Sequence, residues 1–308
     1  MKTSAVRIGL AVLFLATLSF TLPVLAQSND RGEGELIDKP PKDKTIDEII
    51  QAFATKEKDF KQAREQYTYR QEVTVQTLEG STVDGEYHSV IDILFDAKGR
   101  RQEQVVFAPQ STLQRITMSP EDFSDLEKRL PFVLTIDDIP QYNIKYLGQQ
   151  KQDELNTYVF DVGPKAIEKN QRYFEGRIWV DDHDFQIVKT YGKSVPDLVN
   201  GKPVDPKKKS KSGNENFFPR FTTWREQIDG KYWFPTYTKV DDTLHFDSGD
   251  VRIRQIVKYT NYKRFGSNIK ITYEGQEIEG QDKDKKPNDQ QRQQPNPQTI
   301  PPPAPPKK

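Results

Sequence analysis

From residue 67 onward the chain alternates apolar and polar residues at the two-residue period of a half-buried strand. TYRQEVTVQTL (68–78) puts Tyr69, Val73 and Val75 on one side, and GEYHSVIDILF (85–95) does the same with Tyr87, Ile91, Ile93 and Phe95 before an Asp-Ala-Lys-Gly turn. Alternation returns in YNIKYLGQQ, NTYVFDV, RYFEGRIWVD, FQIVKTYG, FFPRFTTWREQID, KYWFPTYTKV, DVRIRQIVKYTNY and IKITYEG, for roughly eleven strands in all.

Two stretches depart from it. In TIDEIIQAFATKEKDFKQAREQY (45–67), Thr45 and Glu48 form a capping box, and Ile46, Ile49, Ile50, Phe53, Phe60, Ala63 and Tyr67 return to one face at helical spacing. In MSPEDFSDLEKRLPF, Ser119 is an N-cap, Pro120 takes the first helical position, and Phe123, Leu126 and Leu130 share a face before Pro131 ends the helix. The pattern predicts a mainly β fold, a highly curved antiparallel sheet or incomplete β-barrel with helices covering its concave face.

Two turns carry candidate chemistry. Asp181-Asp182-His183-Asp184 gathers three carboxylates around an imidazole, yet a two-residue loop at Asp182-His183 pairs Val180 with Phe185, Ile178 with Ile187, Gly176 with Lys189 and Phe174 with Tyr191. That apolar register favours a turn over a metal site. A second turn at Asp229-Gly230 folds an aromatic-rich stretch so that Phe221, Thr223 and Arg225 share a face with Phe234, Thr236 and Thr238.

The ends are set apart by composition. Lys2 and Arg7 precede an apolar run from Ile8 to Phe20, and Pro23-Val24-Leu25-Ala26 closes what reads as a secretory signal cleaved after Ala26, which implies an extracytoplasmic location. Residues 27–44 are expected to be a flexible lead-in, 45–277 the folded domain with a basic loop insert at 201–216, and 278–308 a disordered Pro/Gln/Lys-rich tail. Lys207–Lys211 reads as a solvated basic loop, with transient contact with anionic membrane as the alternative.

Charge and chemistry narrow the function. With 46 basic and 46 acidic side chains no global field attracts nucleic acid, and a chain without cysteine carries neither disulfide nor lipidated cysteine. No G-x-S-x-G elbow and no phosphate loop appear, and neither DDHD nor DDTLH (241–245) has the spacing of a known metal site. Neither catalytic residues nor a cofactor are expected, and the reading is a non-enzymatic monomer.

The order of signal, amphipathic helix, YTYRQEVTV strand, short mid-domain helix, YNIKYLGQQKQDELNTYVFDVGPK and YFEGRIWVDDHDFQIVKTYGK resembles the outer-membrane lipoprotein-sorting (LolA-like) superfamily of periplasmic proteins over about residues 45 to 275. The resemblance implies an apolar barrel cavity holding lipid or lipoprotein acyl chains under a helical lid. Its wall is expected from Ile91, Ile93, Phe95, Phe174, Ile178, Val180, Ile187, Tyr191, Phe221 and Phe234. The lid is expected from Ile46, Ile49, Ile50, Phe53 and Phe60 of the first helix and Phe123, Leu126 and Leu130 of the second. It further implies an arginine that locks the lid, with Arg70, Arg100 and Arg101 as candidates. The alternatives are an extracytoplasmic module that binds an envelope protein or senses envelope stress, and a metal-dependent hydrolase.

Overall fold

The computed structural model describes residues 33–96, 100–199, 202–203, 218–246, 248–265, 271–273 and 276–278. The signal, the lysine run at 207–211 and the tail beyond 278 lie outside the described residues.

Helix α1 (Ile46–Arg64) starts where the sequence places it: Glu48 N donates to Thr45 Oγ1 at 3.2 Å, and Thr45 N donates back to Glu48 Oε2 at 2.7 Å. Strands β1 (Tyr67–Glu79), β2 (Thr82–Phe95) and β3 (Arg101–Phe107) follow, then α2 (Pro120–Lys128) with the same cap on Ser119, and one 3-10 turn at Ile139–Gln141. The chain continues through β4 (Tyr142–Gln152), β5 (Leu155–Pro164), β6 (Tyr173–Asp181) and β7 (Ile187–Val195). A small hairpin, β8 (Leu198–Val199) with β9 (Lys202–Pro203), precedes β10 (Phe221–Ile228), β11 (Tyr232–Phe246) and β12 (Gly249–Arg264). Strands β13 (Ile271–Tyr273) and β14 (Gln276–Ile278) pair only with each other.

Ten strands form one antiparallel sheet in the order β3-β2-β1-β12-β11-β10-β7-β6-β5-β4, curved but not closed into a barrel. Two hairpin-built halves meet at β7 and β10, whose ladder runs only from Gly192 opposite Phe221 to Lys189 opposite Trp224. Helix α1 covers the concave face across this seam. Its Ile49, Phe53 and Ala54 join one buried cluster with Val73 of β1, Phe160 of β5, Phe174, Ile178 and Val180 of β6, Ile187 of β7 and Val257 of β12. Burying each such side chain contributes about 1.5–3 kcal/mol, so this face supplies most of the packing that a chain without disulfides requires.

Three expectations are corrected. The β6–β7 loop is longer than two residues: Asp181 N donates to Gln186 O at 3.0 Å, and Phe185 sits at φ 56°. Asp181 Oδ2 accepts the N–H groups of His183 and Asp184 at 3.2 and 2.9 Å, which satisfies a wider loop that a two-residue turn cannot offer. With a bulge beside it, the register becomes Val180 opposite Ile187, Ile178 opposite Thr190, Gly176 opposite Gly192 and Phe174 opposite Ser194. The two glycines allow close approach, since a Cβ on Gly192 would lie 2.6 Å from Phe174 Cζ.

Strand β3 has no counterpart in the sequence reading, because Arg101-Gln102-Glu103-Gln104 is polar on both faces. The lead-in, expected to be flexible, is held along the outer edge of β4 in its residues 33–40: Gly34 N donates to Lys151 O at 2.8 Å, and Ile37 exchanges both backbone bonds with Gln149 at 2.9 Å. Leu36 adds a side chain to the cluster of Val159, Trp179 and Val188 on the sheet's other face.

Candidate functional site

The helix α1 carries one charged residue on its apolar face. Glu57, between Phe53 and Phe60 at helical spacing, is completely buried. It meets Arg225 of β10, which donates Nη1 to Glu57 Oε1 at 2.8 Å and Nη2 to Oε2 at 3.2 Å. The same guanidinium donates to Ile187 O at 3.3 Å and to Phe132 O, and Ile187 N donates to Glu57 Oε1 at 3.4 Å. One arginine thus ties α1, the segment after α2, β7 and β10 together at the seam of the sheet. Burial pushes the Glu57 carboxyl above its ordinary range, and the charge of Arg225 pulls it back.

The lid-locking candidates named from sequence sit elsewhere. Arg70 pairs with Asp92 on the neighbouring strand at 2.7 Å, Arg100 with Asp96 at 2.7 Å and Arg101 with Glu103, and none of these pairings involves α1. Arg225 was legible in part: it falls on the apolar face of its strand with Phe221, as Glu57 does on its helix, and a charge on an apolar face signals a buried partner.

Beside this core, under α2, lies a cavity of about 360 Å³. Its roof is Leu126 of α2 with Leu130 just after the helix and Ile116 and Met118 just before it; its floor is Val75 of β1, Phe221 of β10, Val240 and Leu244 of β11 and Ile253 of β12. Polar groups gather where Asp125 lines it. That carboxylate, pushed up by burial, accepts from Arg172 Nη1 at 2.6 Å. The alternation of β11 and β12 shows that Val240, Leu244 and Ile253 share a face, but not that this face is left partly uncovered.

Of the residues expected at the cavity wall, Phe221 lines the space, and Leu126 and Leu130 do so from the lid. Phe174, Ile178, Val180 and Ile187 are buried in the concave cluster that α1 covers. Ile93 is buried, Ile91 and Phe95 are half-buried further along the sheet, and Phe234 packs with Phe60 and Tyr67 in a separate cluster. Tyr191, by the corrected register, stands opposite Arg177 away from the core and is 42% exposed. On the lid, Ile49, Phe53 and Phe60 are buried and Ile50 half-buried. Ile46 is exposed, and Phe123, also exposed, meets Tyr87 edge-on at 5.9 Å.

The acidic turn is a structural knot. Trp233 Nε1 donates to Asp184 Oδ2 at 2.7 Å, Gln186 Nε2 donates to Lys231 O at 3.0 Å, and Asp181 caps the loop as above. In DDTLH, Asp241 pairs with Arg252 at 3.2 Å and His245 with Asp250 at 2.8 Å. Among the described residues no group of three or more His, Asp or Glu side chains is placed to hold a metal ion. No helix among them is long and apolar enough to cross a membrane.

No protein-family profile matches the chain, and no curated protein does. Among solved structures it is similar to a LolA superfamily protein from Nitrosomonas europaea, with 18% identity over 69% of this chain and 94% of that one and a TM-score of 0.30. A DUF1329 family protein from Desulfovibrio piger aligns at 13% identity over 68% of this chain and 90% of its own, TM-score 0.32. The MucA/MucB complex of Pseudomonas aeruginosa contributes a chain at 10% identity, 67% and 94% coverage and TM-score 0.19. At such TM-scores the likeness is one of similarity alone.

Proposed function

We propose that this chain is an extracytoplasmic binding protein that holds the acyl chains of a lipid or lipidated protein under its helices. The observation that carries the reading is the apolar cavity of about 360 Å³ under α2, which falls in the ~300–1,000 Å³ range of small-molecule sites. It borders the concave cluster filled by α1, so a helix that moves away extends the same apolar wall. Each methylene transferred from water contributes about 0.8 kcal/mol, and affinity rises with chain length until the space is full. Binding of this kind needs no chemistry. The expected export signal supports a site outside the cytoplasm, and the Glu57–Arg225 pair is the polar latch that opening has to break.

The test fills the cavity without adding charge. Leu244→Trp places a larger side chain on the floor, and the variant, folded by circular dichroism, should take up a fluorescent fatty acid roughly tenfold more weakly than wild type. Equal uptake by both would end the acyl-cavity reading.

A second reading rests on a different place. The edge strand β3 exposes Val105 (64%), Val106 (48%) and Phe107 (50%), three consecutive apolar residues of the kind that accept an added strand from a protein partner. That reading predicts no acyl uptake by wild type, which separates it from the first.

A further inference from the structure

The last turns of the two helices point their cations at one cleft. This space, of about 430 Å³, is lined by Lys61 and Arg64 of α1, Lys128 and Arg129 at the end of α2, and Arg172 just before β6, against the single carboxylate Asp138. Asp138 is already engaged, accepting from Thr135 N at 3.0 Å and Thr135 Oγ1 at 2.6 Å. Among the described residues Lys61, Arg64, Lys128 and Arg129 form no ion pair, and Arg64 makes only a long bond to Pro131 O at 3.4 Å.

Helix dipoles explain part of this. Each C-terminus carries roughly half a negative charge, so the two helices account for about one of the cations gathered here. The excess is left over. Arg172 adds a second observation: Nη1 is used on Asp125, its guanidinium Cζ lies 4.0 Å from the Phe218 ring centroid, and its buried Nε and Nη2 donate to nothing among the described residues. Buried guanidinium donors without an acceptor call for one that the described residues do not supply. The neighbouring space of about 400 Å³, lined by Lys128, Arg129 and Arg172, is also lined by Asp125 and Leu198, which border the apolar cavity. The basic cleft and the apolar cavity are therefore two ends of one surface.

We infer that the cleft between the ends of α1 and α2 binds a phosphate-class anion, and, resting on the acyl-cavity reading above, that this anion is the headgroup of an anionic lipid whose chains occupy the cavity. An anion there meets several charge-assisted donors at once. A zwitterionic lipid brings its own cation into a cleft that already has an excess of them.

The experiment compares short-chain phosphatidylglycerol with phosphatidylcholine of equal acyl length, and inorganic phosphate, by calorimetry on the chain from residue 27. The double variant Lys128→Gln/Arg129→Gln changes two side chains outside the apolar cavity and leaves its walls intact. Wild type should favour the anionic lipid by roughly tenfold, and the variant should lose that preference while binding phosphatidylcholine as before. If neither lipid binds but phosphate does, and the variant abolishes it, the anion site stands and the acyl reading fails. If both lipids bind equally and the variant changes nothing, the anion site is overturned and the acyl reading survives.

Discussion

Two charged residues on opposing apolar faces fix the centre of this molecule. Removing one partner of a buried pair leaves the other uncompensated, at a cost of about 3–5 kcal/mol. Arg225→Met should therefore lose that much in urea unfolding at about pH 8, where Glu57 is left ionised and buried. The loss should shrink near pH 5. Burial raises the Glu57 carboxyl in the folded state, so its contribution is fully present below its unfolded value and is lost as pH rises through the folded one. An Arg225→Met variant whose destabilisation is flat over that range would show that Glu57 stays charged without its partner. Residue-level chemistry of this type is half visible in sequence: helical spacing places Glu57 among phenylalanines, and strand alternation places Arg225 beside Phe221. Neither pattern says that the two meet.

Elements were read with unequal success, for identifiable reasons. Both helices announce themselves through capping boxes and apolar spacing, and the structure begins them at Ile46 and Pro120, directly after the predicted caps. Long strands with a clean face were also legible. Strand β3 was not, since its polar first half carries no alternation and its place comes from pairing with β2, where Ile93 faces Glu103. The β6–β7 register departs from simple apolar matching because Asp181 caps a wider loop with its side chain in place of a tight turn. The 27–44 lead-in has no period to predict its place, yet its residues 33–40 shield the backbone of β4. A chain beginning at Lys44 should unfold at lower urea and self-associate through that edge, as sedimentation would report. A monomer of unchanged stability would mean that the strap is ornamental.

At the scale of the molecule, two hairpin-built halves join through a short ladder and are bridged by one helix. A helix held mainly by its side chains, with the buried Glu57–Arg225 pair across a seam and an exposed pair of Lys58 with Asp137, is the element that can leave without unravelling the sheet. Hydrogen exchange should therefore show the α1 amides, and not those of β1 or β12, losing protection when the cavity is loaded with fatty acid. Uniform protection across all three would place the ligand without lid movement.

The sequence alone determined the strand and helix periods, the caps and the turn at Asp229-Gly230, because each depends on neighbours within a few residues. Tertiary structure decided the rest: the pairing of Glu57 with Arg225, separated by 168 positions, the face on which Tyr191 stands, the cavity under α2 and the meeting of cations from two helix ends. Those depend on strand order, bulges and sheet curvature, which bring distant segments together and have no local period to announce them.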